Sequence, residues 1–305
     1  MKTIATTPRY AQAFWSFMRD KTFDVTDLRT RTLAPTGYYL PNESDNKFRE
    51  QQERMNVFRT IATIHYTETA DCKIKSVLPT GNADFVGEGE VIPEADVDFA
   101  AWTVKAHKIA KLVKVSNEMV SDIGFDLESA LAAEFGREFG KVEEKACVGG
   151  NGIGRPYGIL HPTEGADTGV TIASATTVKF DDVKSLYFSL DAEYRRNAVW
   201  LMNDETALYL RTLKDSAGNY LWRGSDNSIL GRPVYTSPYM PNRESGNKPI
   251  AFGDFSYYWL IERGGVALKA LHEKFAASNV TGFIGTEYIE GRLIKPEAIK
   301  VIAMS

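Results

Sequence analysis

Five groups of residues in this 305-residue chain are of the types that do chemistry. The first is the run GGNGIGRPYG, with Gly149, Gly150, Gly152, Gly154 and Gly158. A phosphate cradle needs such glycines after a strand and at the start of a helix, where free amide N–H groups meet the anion. Here they follow a segment of helical periodicity, and no Lys-Ser or Lys-Thr pair completes a P-loop. The run reads as a structural turn. The second group is the histidines His65, His107, His161 and His272, none in an HxxxH, HExxH or HxE spacing. A metal needs such convergent ligands, so none is expected. Third, Cys72 and Cys147 stand far apart and make neither a disulfide framework nor a zinc site. A reducing compartment suits them. Cys147 has no local partner motif, and no GxSxG elbow occurs. Fourth, Glu88, Glu90, Glu94, Asp96 and Asp98 share one loop. Calcium is the ligand such carboxylates would take, but a solvated, self-repelling loop is the preferred reading. Fifth, Asp181 and Asp182 read as helix caps. Nothing here assembles an active site. The chain is expected to be no enzyme and to hold no cofactor and no metal.

The composition narrows the classes further. Lys and Arg number 36 and Asp and Glu 40, a net charge of −4, so the basic excess of a dedicated nucleic-acid binder is missing. Hydrophobic residues are 43% and charged residues 25%, the balance of a folded chain. No apolar run is long enough to cross a membrane, and MKTIATTPRY lacks the apolar core of a signal peptide. At roughly 150 residues per domain, the length suggests about two domains.

The elements that carry these residues follow from periodicity. In PRYAQAFWSFMRD (8–20), Tyr10, Ala13, Phe14, Phe17 and Met18 form a helical stripe, read as docked on protein rather than on a membrane. Residues 1–50 read as an extended arm carrying this one short helix. DCKIKSVL (71–78) alternates as a strand. After the acidic, Gly- and Pro-containing loop, alternation resumes at Trp102, Val104 and Ala106 and slips phase near Lys108, which predicts a bulge or bend. Two strands of about 14 residues would make a hairpin near 46 Å long. A compact chain of this length has a radius of gyration of only about 19 Å. A lone two-stranded ribbon is marginal in water, so it needs another subunit to lie on.

The spacing predicts a long helix over 126–147, with Leu127, Leu131, Phe135, Phe139, Val142 and Ala146 inward, Asp126 as N-cap and Gly149 or Gly150 as stop. Gly136 and Gly140 inside it are read first as close packing of a neighbouring element, with a helix built to bend as the alternative. Helices over 181–195 and 204–213 and a buried strand at 198–203 are followed by the segments 230–237, 249–262 and 266–275 and by a final β run at 280–294, strand and helix being mixed. No regular βαβ alternation and no internal repeat occurs, so the fold class is α+β.

Ordered pieces of this chain resemble the major capsid proteins of tailed bacteriophages, the HK-ninety-seven fold. They are VIPEADVDF (91–99), WTVKAHKIAKLVKVSNEMVSD (102–122), the long helix, GNGIGRPYGIL (150–160), VWLMNDETALYLRTLKDSAGNYLW (199–222), LGRPVYTSPYMP (230–241), IAFGDFSYYWLIERGG (250–265) and EGRLIKPEAIKVI (290–302). The N-terminal RYAQAFWSFMR also resembles such proteins, less diagnostically.

The resemblance implies an N-terminal arm and lead-in (1–60), an extended hairpin loop (61–115) and a peripheral domain (116–169) with spine helix 126–147. It further implies an axial domain (170–260) and return strands of the peripheral domain (261–305). It implies self-assembly into hexamers and pentamers of an icosahedral virion shell around double-stranded DNA, without sequence-specific contact and without a membrane. A portal protein, a scaffolding protein or maturation protease and a decoration protein are the implied partners, with assembly in the host bacterial cytoplasm. The start at Met1, without a long coiled-coil extension, suggests a separate scaffold or a processed product. The alternatives are an encapsulin-like nanocompartment shell, which shares the fold, and a hydrolase using the acidic loop. Some relatives join a hairpin-tip Lys to a neighbour's Asn with the help of a Glu. The matching positions here are Ile92, Asn279 and Thr286, so no isopeptide cross-link is expected.

Overall fold

The computed structural model describes residues 7–21, 28, 33–34, 37–68, 71–78, 98–122, 124–174, 176–222 and 227–305. Its helices are α1 (Pro8–Met18), α2 (Asn42–Met55), α3 (Phe58–Ile61), α4 (Asn117–Ser121), α5 (Leu127–Gly149), α6 (Phe180–Ser189), α7 (Ala192–Arg195) and α8 (Asp204–Thr212). The strands are β1 (Leu33–Ala34), β2 (Gly37–Tyr39), β3 (Thr63–Thr67), β4 (Asp71–Leu78), β5 (Asp98–Lys105), β6 (His107–Ser116), β7 (Asp167–Ile172) and β8 (Val199–Met202). They continue with β9 (Ser228–Ile229), β10 (Arg232–Thr236), β11 (Ile250–Gly253), β12 (Tyr258–Arg263), β13 (Ala267–Leu271), β14 (Val280–Leu293) and β15 (Ile299–Met304). The architecture is α+β, in three sheets among the described residues.

The seven-stranded sheet is organised by β14. Thr286 pairs with both Ala267 and Ala110, and Ile289 with both Glu262 and His107. A residue has two edges, so β6 runs along one edge of β14 while β12 and β13 lie end to end on the other. β3 extends the sheet in parallel beside β12, and β2 pairs with β13. Helix α5 crosses the inner face, with the Phe135 ring against the backbone of Gly285. Asp126 caps α5 by accepting from the Ser129 N–H at 3.0 Å. Leu127, Leu131, Phe135 and Phe139 are buried together with Tyr10, Phe14 and Met18 of α1, so the α1 stripe docks on this subunit's own core. Each such side chain contributes about 1.5–3 kcal/mol by burial.

The six-stranded sheet runs β7-β15-β11-β8-β10-β9. Trp200 and Met202 of β8 enter one core and Leu201 the other, so both faces are covered. That is why VWLM is continuously apolar. Asn203, one residue ahead of the expected Asp204, caps α8 by accepting from the Thr206 N–H at 2.7 Å. At α6, Lys179 is the cap residue, and Asp182 accepts from its N–H at 2.8 Å.

Four expectations are corrected. The region 1–50 is not an arm throughout: α1 and α2 pack on the body, and α2 was hidden because its buried face is Ser44, Phe48 and Gln52, only one of them apolar. The hairpin does not extend over all of 61–115, because β3 and β6 belong to the seven-stranded sheet; among the described residues its paired strands have eight residues each, against the expected 14 or so. Residues 261–305 do not return as one unit: β15 lies between β7 and β11 in the six-stranded sheet, its side chains alternating between two cores. Val142 is exposed, and Glu143 takes the inward position four residues after Phe139.

Candidate functional site: the ribbon root and the buried ion cluster

Among the described residues β4 and β5 pair only with each other, from Asp71 opposite Lys105 to Leu78 opposite Asp98. Eight residues at about 3.3 Å give a ribbon of about 25 Å before its tip. The expected phase slip falls at Ala106, between β5 and β6. There the chain leaves the ribbon and enters the large sheet. His107, the first residue after the break, faces Glu290 of β14, with Nε2 3.4 Å from Oε2. Burial pushes the Glu290 carboxyl up to about 7, against the Gly291 N–H that it accepts. Desolvation lowers the pKa of His107.

Beneath this root lies a buried ion cluster that sequence reading missed. Arg59 of α3 donates to both carboxylate oxygens of Glu143 on α5, through Nε at 2.7 Å and Nη2 at 2.9 Å. Its Nη1 lies 2.6 Å from Glu262 of β12, and its Nη2 lies 3.7 Å from Glu287 of β14. Arg49 of α2 donates to the other Glu262 oxygen at 2.9 Å and to the Tyr66 hydroxyl at 3.0 Å. Asn56 donates to Glu143 at 2.9 Å, and Gln52 donates to Glu287 at 3.0 Å. Arg59 and all three glutamates are buried. Burial opposes the charge on Arg59, but Glu143, Glu262 and Glu287 hold it protonated. Burial raises Glu143 despite Arg59, and it raises Glu287 well above the carboxylate range, with Glu262 adding repulsion.

The cluster depends on how closely α2 approaches α5. A Cβ on Gly136 would lie 2.5 Å from the Phe48 carbonyl oxygen, and one on Gly140 would lie 2.8 Å from that of Gln52. Close packing therefore accounts for both glycines, which place Gln52 and Asn56 over the glutamates. The sequence signal was the four-residue repeat shared by Gly136/Gly140 and Ser44/Phe48/Gln52, with acids in the first turn of α2 and Arg54 in its last.

The residues first considered for chemistry do not converge. Gly150 and Gly158 bring two backbone segments together: the Gly158 N–H donates to the Gly150 carbonyl at 3.0 Å. His65 packs on Trp259, His161 accepts from the Glu164 N–H at 3.1 Å, and His272 lies edge-on to Phe17. Cys147 is buried at the core, where burial raises its thiol pKa. Asn279 caps a 3-10 turn before β14 in left-handed conformation. The Thr286 hydroxyl donates to the Ala267 carbonyl at 3.4 Å. Glu287 does not replace the missing Glu at 286, because alternate strand residues face opposite sides and it points into the ion cluster. Ile92, Glu88, Glu90, Glu94 and Asp96 lie outside the described residues. Among the described residues no group of three His, Cys, Asp or Glu is placed to hold a metal ion, and no helix is long and apolar enough to cross a membrane.

Comparison with known proteins gives this geometry a family. The model of the Phage capsid family matches residues 36–304. The capsid polyprotein of Pseudomonas phage PAJU2 is 26% identical over 202 residues, covering 62% of this chain and 29% of the polyprotein. The major capsid protein of Enterobacteria phage HK97 is 23% identical over 183 residues, covering 60% of this chain and 46% of that protein. The match thus spans less than half the length of these curated relatives. Among solved structures, the capsid of an empty GTA particle aligns with a TM-score of 0.73 and 27% identity, covering 82% of this chain and 90% of that one. The capsid of a native GTA particle aligns at 0.70 and 26%, covering 81% and 89%. A chain of Gordonia phage Cozz, 13% identical with a TM-score of 0.58 over 82% of this chain and 86% of its own, shares the fold. With a family model matched over most of its length and the fold of solved capsid chains, the chain belongs to the Phage capsid family.

Proposed function

We propose that this chain is a major capsid protein, a structural subunit that self-assembles through hexamers and pentamers into an icosahedral head around double-stranded DNA. The observation that carries this reading is the ribbon of β4 and β5, a two-stranded sheet of its own. Such a sheet is marginal alone and gains stability by lying on another subunit. In a closed lattice each copy buries surface on several neighbours, so modest contacts multiply. The mildly acidic chain, at net −4, suits a container in which DNA slides. The role is structural and needs no catalysis. Portal, scaffold or protease, and decoration protein are the partners such a shell requires, and the host cytoplasm is the place of assembly. The relatives named as phage and GTA capsids favour this reading over an encapsulin-like compartment. With Ile92 and Thr286 at the linkage positions, the shell is held together without covalent bonds.

Replacing 71–105 by a short Gly-Ser linker tests the reading. Electron microscopy should show closed shells for the full chain and none for the variant, whose circular dichroism keeps the folded signature. Shells from the ribbonless chain, or a full chain that stays monomeric at high concentration with every assembly partner supplied, would overturn it.

A further inference from the structure

We propose that Glu287 is a proton-binding site that fastens the lead-in segment 42–61 to the sheet: the segment seats when Glu287 is neutral and loosens when it ionises. This inference is independent of shell assembly. Its basis is a count of charges and a ranking of contacts. The lead-in supplies cations and amides to the cluster, namely Arg49, Gln52, Asn56 and Arg59. The body supplies carboxylates, Glu143, Glu262 and Glu287. Three interior carboxylates face two guanidiniums, an excess of one negative charge before the partly exposed Asp45 on Arg49 is counted. An uncompensated charge in a dry interior is costly, and the group that carries it takes up a proton instead.

The contacts identify which group that is. Glu143 accepts two N–H bonds from Arg59 and one from Asn56. Glu262 is paired with both arginines, at 2.6 and 2.9 Å. Glu287 has a neutral amide at 3.0 Å and one arginine nitrogen at 3.7 Å. It is the carboxylate with the weakest claim on positive charge. Gln52 Oε1 is buried without a hydrogen-bond donor among the described residues, and a protonated Glu287 places an O–H beside that amide.

Among the described residues no other charge is placed to replace the proton. From β3 the cluster receives only the Tyr66 hydroxyl, which accepts from Arg49. On β6 the residue opposite Glu287 is Ile109, while Lys111 is engaged with Glu134 and Glu138. Cys147, beside Glu143 on α5, is a buried thiol. Burial and the Glu262 charge both hold Glu287 in its acid form. A carboxyl whose proton is held more tightly in the seated state stabilises that state at low pH. It loses this advantage as pH rises from the ordinary value of 4.5 toward the raised one.

Hydrogen exchange of the 42–61 amides, read by mass spectrometry on the purified full chain, tests the site. Wild type and Glu287→Gln are compared at equal pH, so that intrinsic exchange chemistry cancels. The two should exchange alike near pH 4, below the ordinary value of 4.5. Above it, the ratio of wild-type to variant rates should rise by up to tenfold per pH unit and then level off. A flat ratio from pH 5 to 9, or faster exchange of the variant at every pH, overturns the proposal. A second measurement needs only the wild type: infrared titration with carboxyl-labelled glutamate should retain a protonated carboxyl signal after Glu144 and Glu290, raised to about 7, have ionised. Its absence overturns the proposal even where the variant fails to fold.

Discussion

Replacing Gly136 by alanine sets two contributions of opposite sign against each other. In a helix interior, alanine is better than glycine by about 1 kcal/mol. In this structure the new methyl would lie 2.5 Å from the Phe48 carbonyl oxygen and 2.9 Å from Gln51 Cβ, where ordinary contact begins at 3.4 Å. The shortfall to the oxygen is 3.4 − 2.5 = 0.9 Å, and backbone, not a flexible side-chain end, stands in the way. Helix α2 must therefore shift, and with it Arg49, Gln52 and Asn56, whose bonds to the glutamates are 2.9–3.0 Å long. Overpacking of this kind costs about 1–3 kcal/mol. Each buried hydrogen bond stretched beyond reach adds about 1–3 kcal/mol. Subtracting the propensity gain from the overpacking leaves about 0–2 kcal/mol, and one buried hydrogen bond stretched beyond reach brings the net destabilisation to about 1–5 kcal/mol. Urea denaturation followed by far-ultraviolet circular dichroism reads this directly. Gly149→Ala in the same helix is the control, because nothing lies within 4 Å of its added carbon; it should stabilise by a few tenths to about 1 kcal/mol. A Gly136→Ala protein as stable as wild type or more so refutes the reasoning. The glycines would then serve to soften α5 and not to admit α2.

Three further outcomes follow from the same geometry. Arg59→Ala strands the buried Glu143 and leaves Glu262 with Arg49 alone, and should cost about 3–5 kcal/mol in chemical denaturation, with no rescue by Arg59→Lys, which lacks the two-pronged donor to Glu143; a loss under 1 kcal/mol would count against it. Glu290, with its pKa raised to about 7, contributes stability present below pH 4.5 and lost as pH climbs toward 7, at about 1.4 kcal/mol per unit. Glu290→Gln should flatten that part of the stability profile relative to wild type, and identical profiles would contradict the assignment. Finally, assembled particles boiled in detergent should run as single chains of 34.0 kDa, since Ile92 and Thr286 stand where the reactive Lys and the helping Glu are expected; a covalent ladder would contradict this.

Much of the fold was legible wherever burial is written in apolar residues. The α1 stripe, the first four inward positions of α5, the apolar run of β8 and a phase break near Lys108, found two residues earlier at Ala106, all follow from side-chain periodicity, which local geometry imposes before any tertiary contact forms. The ordered pieces from 91 to 302 carried the family as well. Tertiary structure decided the places where the interior is polar. Ser44 and Gln52 point inward on α2, and Glu143 displaces Val142 on α5, because Arg59, four positions beyond Met55 and far from 143 in sequence, meets them inside. A buried charge is tolerable only beside its partner, and the partner is a matter of three-dimensional placement. The same holds for β15, whose apolar pattern marks a strand but does not say which sheet will take it. Periodicity determines which face of an element is hidden; the packing of distant segments decides what each hidden face meets.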